Sequence, residues 1–401
     1  MSRKGKIALI IILLILAAAA ACALYYNAAE RSLSVTFTDE NPEVTCGERY
    51  ATMDYVASSG GDVTPEREYL ATDTSGEHEM KFTVSRELFG GLKEISEDYT
   101  FTYTVVDDVA PVVLNSGNGA IVQRGTEFNI DEVVGYADNA DPSPKLSLEG
   151  SVDMSKNGSY PLHATVTDAS GNSTEWDFTV TVADSVPAAQ NDAAKVNFAD
   201  FCGTYAGDGR SFGIDVSVFQ GDIDFEAVKA AGCDFVIIRI GYSLDGERVE
   251  DTNFAQNYAA AKAAGLRIGV YFYSTDNSEE AARESADWII EKLGGDSLDL
   301  PVAFDWEAFA NFQTFGMSLL TLNDLYDVFA DELKAAGYDC MLYGSRIPLE
   351  TVWNDTDTRT IWLANYVDAT EYTGSYLMWQ QSCTGRIDGI SGDVDMDILY
   401  E

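Results

Sequence analysis

Histidine is almost missing from this chain: 401 residues contain two, His78 and His163, both in the first half. Residues 201–401 therefore cannot assemble a Ser-His-Asp triad, a Cys-His pair or a histidine-bound zinc. Carboxylates are the acid–base groups that remain. Cysteine adds little. The six residues Cys22, Cys46, Cys202, Cys233, Cys340 and Cys383 are scattered, with no CxxC pair and no metal-ligand spacing, so neither a metal nor another cofactor is expected. Four of the six fall in the last two hundred residues, which leaves one or two disulfides open in an oxidising compartment, beside the reading of buried small apolar side chains. Positive charge is also scarce, with 25 Lys+Arg against 66 Asp+Glu and a formal net charge of −41. Such a field repels phosphate backbones and excludes nucleic acid as a partner. It gives no attraction to an anionic cell wall either, so retention there requires an anchor.

What is present is enough to bury substantial cores. Hydrophobic residues make up 46% of the chain and aromatic residues 11%, which at this length predicts two or three domains. At the N-terminus Arg3, Lys4 and Lys6 precede an uninterrupted apolar run from Ile7 to Tyr26. That is about the 20 residues needed to span a bilayer as a helix, with the basic flank held in the cytoplasm and everything beyond about residue 30 exported. The expected location is thus the cell membrane, single-pass, with the C-terminal domains outside. A cleaved signal peptide is the main alternative, because Ala17–Ala21 resembles a small-residue cleavage region, and lipid attachment at Cys22 is a third.

Residues 31–184 read as two β modules, 31–108 and 109–184. Leu33-Ser34-Val35-Thr36-Phe37 and Tyr99-Thr100-Phe101-Thr102-Tyr103-Thr104-Val105 alternate apolar with Ser/Thr positions, the pattern of half-buried antiparallel strands. An internal repeat relates Thr74–Val84 to Lys156–Val166 and places one histidine, His78 or His163, in a strand of each copy, which points to structural roles. Val166-Thr167-Asp168-Ala169-Ser170-Gly171-Asn172 gives the second module the look of bacterial immunoglobulin-like sandwiches; the first matches it less well. Both are expected to act as spacers. Residues 185–208, small and polar at their start, read as a linker.

From residue 209 to 401 the pattern changes to apolar strands alternating with amphipathic helices, which predicts a parallel sheet; in a barrel of such strands the functional residues gather at the carboxyl ends. Asn277 and Glu280 form an expected capping box for a helix over Glu279–Leu293. In Pro301-Val302-Ala303-Phe304-Asp305-Trp306-Glu307 a short apolar run ends in two acids one residue apart. If extended, it puts Asp305 and Glu307 on one face, with Cα atoms roughly 6.6 Å apart, and Trp306 on the other. Two such acids can divide the proton-donor and charge-stabilising roles of glycosidic bond cleavage.

Gly213-Ile214-Asp215-Val216-Ser217, Asp305-Trp306-Glu307, Trp362-Leu363-Ala364-Asn365-Tyr366, Met378-Trp379-Gln380 and Val394-Asp395 occur in the order of the motifs of glycoside hydrolase family 25 lysozymes, the Chalaropsis-type muramidases, which this half of the chain resembles. The resemblance implies an irregular TIM-like α/β barrel that hydrolyses the β-1,4 bond between N-acetylmuramic acid and N-acetylglucosamine, with peptidoglycan glycan strands as partner. It implies Glu307 as proton donor and Asp305 as charge stabiliser, with Asp215 and Asp395 completing an acidic cleft. Phe272 departs from the family pattern, which often has histidine there. Tyr271, Tyr273, Tyr343, Trp362, Tyr366 and Trp379 are candidate sugar platforms, and Asn365 and Gln380 candidate partners for hydroxyl or acetamido groups. Trp288, inside a helix, reads as packing. Two other functions stay open: an anchored protein that binds peptidoglycan without cutting it, and an adhesin built on the β modules.

Overall fold

The computed structural model describes residues 2–114, 119–187, 194–244 and 246–401. They divide into two compact units, Met1–Asp108 and Val109–Glu401.

The first unit begins with a helix over Arg3–Glu30, capped by Ser2, whose Oγ accepts from the Gly5 amide at 3.2 Å. Its 28 residues span about 42 Å at 1.5 Å each, more than a bilayer core, and among the described residues it is the one helix long and apolar enough to cross a membrane. A four-stranded sheet follows, in the order Glu43–Thr45, Lys93–Val106, Gly76–Leu88, Asp62–Pro65. The alternation in Gly76–Leu88 buries Met80, Phe82 and Val84 on one face.

In the second unit, Gly119–Gln123, Ser173–Ala183, Gly158–Thr167 and Lys145–Glu149 form another four-stranded sheet. In both sheets a short strand lies parallel to the second arm of a long hairpin, and an antiparallel strand flanks the first arm. The repeat seen in the sequence is therefore a repeat of topology. His78 bonds the Thr74 carbonyl and stacks on Tyr103, while His163 pairs with Asp177 at 2.8 Å, so each histidine is engaged within its own sheet.

The rest of the second unit is a barrel of eight strands: β1 (Arg210–Val216), β2 (Phe235–Leu244), β3 (Arg267–Tyr273), β4 (Val302–Asp305), β5 (Cys340–Ser345), β6 (Ile361–Ala364), β7 (Met378–Arg386) and β8 (Val394–Tyr400). β1 to β7 run parallel in sequence order. β8 then inserts antiparallel between β7 and β1 and closes the ring, so the sheet is mixed rather than wholly parallel as expected. The helices Phe225–Ala230, Phe254–Ala263, Glu279–Leu293 and Leu319–Ala335 follow β1 to β4, and none of comparable length follows β6 or β7.

Strand alternation sorts the side chains into two layers. Val236, Ile238, Val270, Phe304, Leu342 and Leu363 face the helices, and Phe235, Ile237, Ala303, Met341, Met378 and Leu399 fill the barrel interior. Gly213 is required by this filling, because a Cβ there would lie 2.4 Å from the Phe235 ring. Phe272 is on the helix side, fully buried with its ring 5.8 Å from that of Trp288, so the departure at this position lies in the outer packing. Trp288 packs as expected.

Three expectations change. The N-cap of Glu279–Leu293 is Ser278, extended at φ −149° and accepting from Ala281, while the Asn277 amide donates instead to the Phe315 carbonyl. The linker is shorter than 185–208: residues 188–193 lie outside the described residues, but Val196–Asn197 pairs with Gly385–Arg386 of β7, and the helix Phe198–Tyr205 buries Phe198 and Phe201 on the barrel. The 109–184 module is not a detached spacer either, since Ala137 belongs to the same buried cluster as the barrel's outer layer. Cys202, Cys233 and Cys340 carry unpaired thiols.

The Phe198–Tyr205 helix offers a test. The Phe201 ring sits 5.5 Å from Phe212 and 5.4 Å from Tyr205 and is almost fully buried. Phe201→Ala should lower the stability of the barrel by about 3–5 kcal/mol in denaturant unfolding, the usual loss for a buried ring; a linker residue would cost nothing measurable.

Candidate active site

Two parallel strands, β1 and β4, and the antiparallel β8 bring the acids to one end of the barrel. On β1, Ile214 and Val216 pack outward, so Asp215 points in. β4 ends at Asp305, which continues the inward face of Ala303, and Trp306 turns outward into the helical layer. Glu307 lies one residue further on, in the loop rather than in the strand. β8 returns from the opposite direction with Asp395 opposite Asp215, and its alternation places Asp397 two residues deeper.

A hydrogen-bond network fixes the floor. Gln380 on β7 donates through Nε2 to Asp215 Oδ2 at 2.7 Å. Its Oε1 accepts from the hydroxyls of Tyr343 at 2.9 Å and Tyr366 at 2.8 Å. The Trp362 indole donates to Asp397 Oδ1 at 2.8 Å, and its ring meets Tyr343 edge-on at 4.8 Å and Tyr271 at 6.2 Å. The three rings thus form a fixed aromatic floor.

Sequence reasoning did not single out three further residues. Asp397 is fully buried, and its signal was the Asp-x-Asp spacing in Val394-Asp395-Met396-Asp397, which strand alternation turns to one side. Arg239 interrupts the apolar run of β2. Asp251 holds its guanidinium from Nε and from a terminal nitrogen, both at 2.7 Å, and accepts from the Val218 amide as well. Phe219, just beyond β1, is 82% exposed with the Arg239 guanidinium 5.0 Å from its ring, which makes it an aromatic surface at the rim. Of the residues named from sequence, Tyr271, Tyr343, Trp362 and Gln380 face the interior, Tyr273 ends β3 half-buried, and Asn365 and Tyr366 follow β6 at the rim, with Tyr366 exposed. Trp379 is a correction. With Gln380 inward, period-two alternation sends Trp379 outward, where its ring packs edge-on to Tyr205 at 5.6 Å and its indole donates to the Asn365 carbonyl.

The electrostatics follow from crowding acids in a confined space with one nearby guanidinium. Burial raises the pKa of Asp215 well above the carboxylate range, and the charges of Asp395 and Asp397 raise it further. Asp305 is raised first by burial and then by Glu307, while Arg239 pulls it down. Asp395 is pushed up to about 6, chiefly by burial. Glu307 is open to solvent on one side, and desolvation by the cleft wall lifts it too. Such a cluster holds protons at a pH where isolated carboxyls are ionised, so one member can donate a proton while another carries charge.

Residues 214–390 match the family described as Glycosyl hydrolases family 25, and residues 112–182 match Bacterial surface protein, Ig-like domain. Two relatives are the autolytic lysozyme of Clostridium acetobutylicum, 33% identical over 47% of this chain and 56% of its own length, and lysozyme M1 of Streptomyces globisporus, 31% identical over 46% and 65%. The chain therefore spans less than two thirds of either relative. Among solved structures, the bacterial lysozyme from Streptomyces coelicolor is 29% identical, covering 47% of this chain and 90% of its own, with a TM-score of 0.40.

Asp397 provides a test of the buried-acid reading. A folded-state pKa raised above the ordinary 3.8 means the fold favours the protonated acid. That contribution is complete below the unfolded pKa and is lost as pH rises through the folded one. Asp397→Asn keeps an acceptor for Trp362 and cannot ionise, so its melting temperature should exceed that of the parent at pH 7. The gain should vanish near pH 3.5; equal shifts at both values would show that the charge is not the cause.

Proposed function

Residues 214–390 are a glycosyl hydrolase family 25 domain behind a bacterial surface immunoglobulin-like domain, and from that premise we propose that the chain is a muramidase acting on the β-1,4 bond between N-acetylmuramic acid and N-acetylglucosamine in peptidoglycan. The observation that carries this reading is the convergence of Asp215, Asp305, Glu307 and Asp395, which interact electrostatically at the carboxyl end of the barrel strands. A glycosidic oxygen leaves only when protonated. Glu307, nearest the solvent and lifted by desolvation, is the proton donor. Asp305 is buried beside it, and Arg239 favours its ionised form, so it faces the positive charge that develops at the anomeric carbon. Asp215, held by Gln380, and Asp395 shape the opposite wall. Tyr273, Asn365, Tyr366 and Phe219 line the rim where sugar rings would lie, over the floor of Tyr271, Tyr343 and Trp362.

Glu307→Gln should reduce turnover of soluble glycan fragments by about a hundredfold to ten-thousandfold, the range for lost acid catalysis, with binding retained. Digestion of purified peptidoglycan should release muramic acid reducing ends. New amino groups instead would indicate amide cleavage, and binding without cleavage would indicate the anchored binding protein.

The location proposed is the outer side of the cytoplasmic membrane, with the Arg3–Glu30 helix as an uncleaved anchor that carries the rest of the chain toward the wall. Protease added to intact cells should remove the barrel and leave a small membrane-bound remnant. Protein found wholly in the medium would mean that the helix is a cleaved signal.

A further inference from the structure

We infer that the immunoglobulin-like module is the buttress of the acid loop, with Gln313 of the barrel and Gly135 of the module as positioning residues for Glu307. The inference rests on the proton-donor reading above.

Beyond Glu307 the chain makes a short helical turn over Phe309–Phe315, entered through a bond from the Phe309 amide to the Glu307 carbonyl at 2.7 Å. Trp306, between the two acids, is completely buried, with the rings of Phe309, Phe312 and Phe315 at 5.1, 5.5 and 5.2 Å. Its indole donates to the Asp276 carbonyl at 3.1 Å. Wherever this turn holds its three phenylalanines, Trp306 is held too, and with it the backbone that carries Asp305 on one side of it in sequence and Glu307 on the other.

The turn cannot hold itself. It is seven residues long and broken by a non-helical Asn311 at φ −138°, ψ 35°, far too short for independent helical stability. The barrel supplies the Asn277 bond to the Phe315 carbonyl at 3.2 Å. The module supplies more. Gln313 Nε2 donates to the Val134 carbonyl at 3.0 Å and the Asp131 carbonyl at 3.3 Å, and its Oε1 accepts from the Tyr136 amide at 3.3 Å. One side-chain amide thereby serves backbone groups on both sides of Gly135. At Gly135 itself the two backbones touch: a Cβ would lie 2.1 Å from the Phe309 carbonyl oxygen and 2.8 Å from that of Ala310. The next residues accept from the first turn of the following helix, Asp138 from the Leu319 amide at 2.9 Å and Asn139 from the Leu320 amide at 3.0 Å, groups a helix start leaves unsatisfied. A tether needs neither the steric match at Gly135 nor the threefold engagement of Gln313. Control of the geometry of the acid loop needs both.

The test uses the full-length chain in detergent with two variants that attack the contact from opposite sides, Gln313→Ala and Gly135→Ala. The readouts are kcat and KM on soluble glycan fragments, the pH–rate profile, and hydrogen exchange of residues 306–317. Expected for both variants are a kcat about ten- to a hundredfold lower, from displacement of the acid, with KM within twofold. A displaced limb of the pH profile and faster exchange confined to 306–317 should accompany it. Unchanged kcat, profile and exchange would overturn the inference, as would a loss accompanied by faster exchange throughout the barrel, which marks a merely stabilising interface. If the parent cleaves no glycan, the proton-donor reading fails. Exchange then decides the contact on its own: protection lost locally in both variants keeps the buttress, and unaltered protection removes it.

Discussion

The antiparallel insertion of β8 is the constraint on which the site depends. Seven parallel strands leave a gap between β1 and β7, and β8 fills it with a register that sets Asp395 against Asp215 and Asp397 against Gly213. The lack of a side chain at Gly213 keeps room for the Phe235 ring at that level. From there the network spreads: Asp397 orients Trp362, Trp362 packs Tyr343 and Tyr271, and Tyr343 shares Gln380 with Asp215. A shift of β8 by one residue would send Asp395 and Asp397 into the helix layer and bring Met396 and Ile398 into the cleft.

Much of this was legible in the sequence, and the failures are instructive. The alternation of apolar strands and amphipathic helices located the barrel, because each strand buries both faces and each helix only one. The Asp-x-Glu after β4 was recognisable from its residue types, although Glu307 lies beyond the strand and owes its direction to the loop. Assigning both Trp379 and Gln380 to the cleft violated strand alternation, and only a known partner for one of them, Asp215 for Gln380, decides which faces in. The same rule applied to Val394–Asp397 would have added Asp397. Arg239 was visible as a lone charge within β2, but its partner Asp251 lies across a hairpin turn.

What no local pattern could indicate was the contact between module and barrel. Gln313 looks like an ordinary polar residue of a surface turn, and Gly135 like one glycine among 33. Their significance exists only after two separate folding patterns meet. The spacer reading followed from treating each pattern as self-contained, and the linker reading from composition alone, which masked Phe198 and Phe201 as part of the barrel.

Burying several acids opposes the stability of the barrel, and the layout shows how the opposition is contained. The acids occupy only the carboxyl end, above an interior filled by Phe235, Ile237, Met341 and Met378 and inside a continuous apolar layer beneath the helices. Each buried acid has a donor or a cation at hand: Gln380 for Asp215, Trp362 for Asp397, Arg239 for Asp305. Arg239 is itself neutralised by the fully buried Asp251 carboxylate, so it tempers Asp305 without fixing it as a salt bridge. Glu307, the most exposed of the acids, is shifted by desolvation, and its backbone rests on a turn that needs support from outside the barrel. The residue with most freedom to exchange a proton is therefore the one whose position depends most on neighbouring structure.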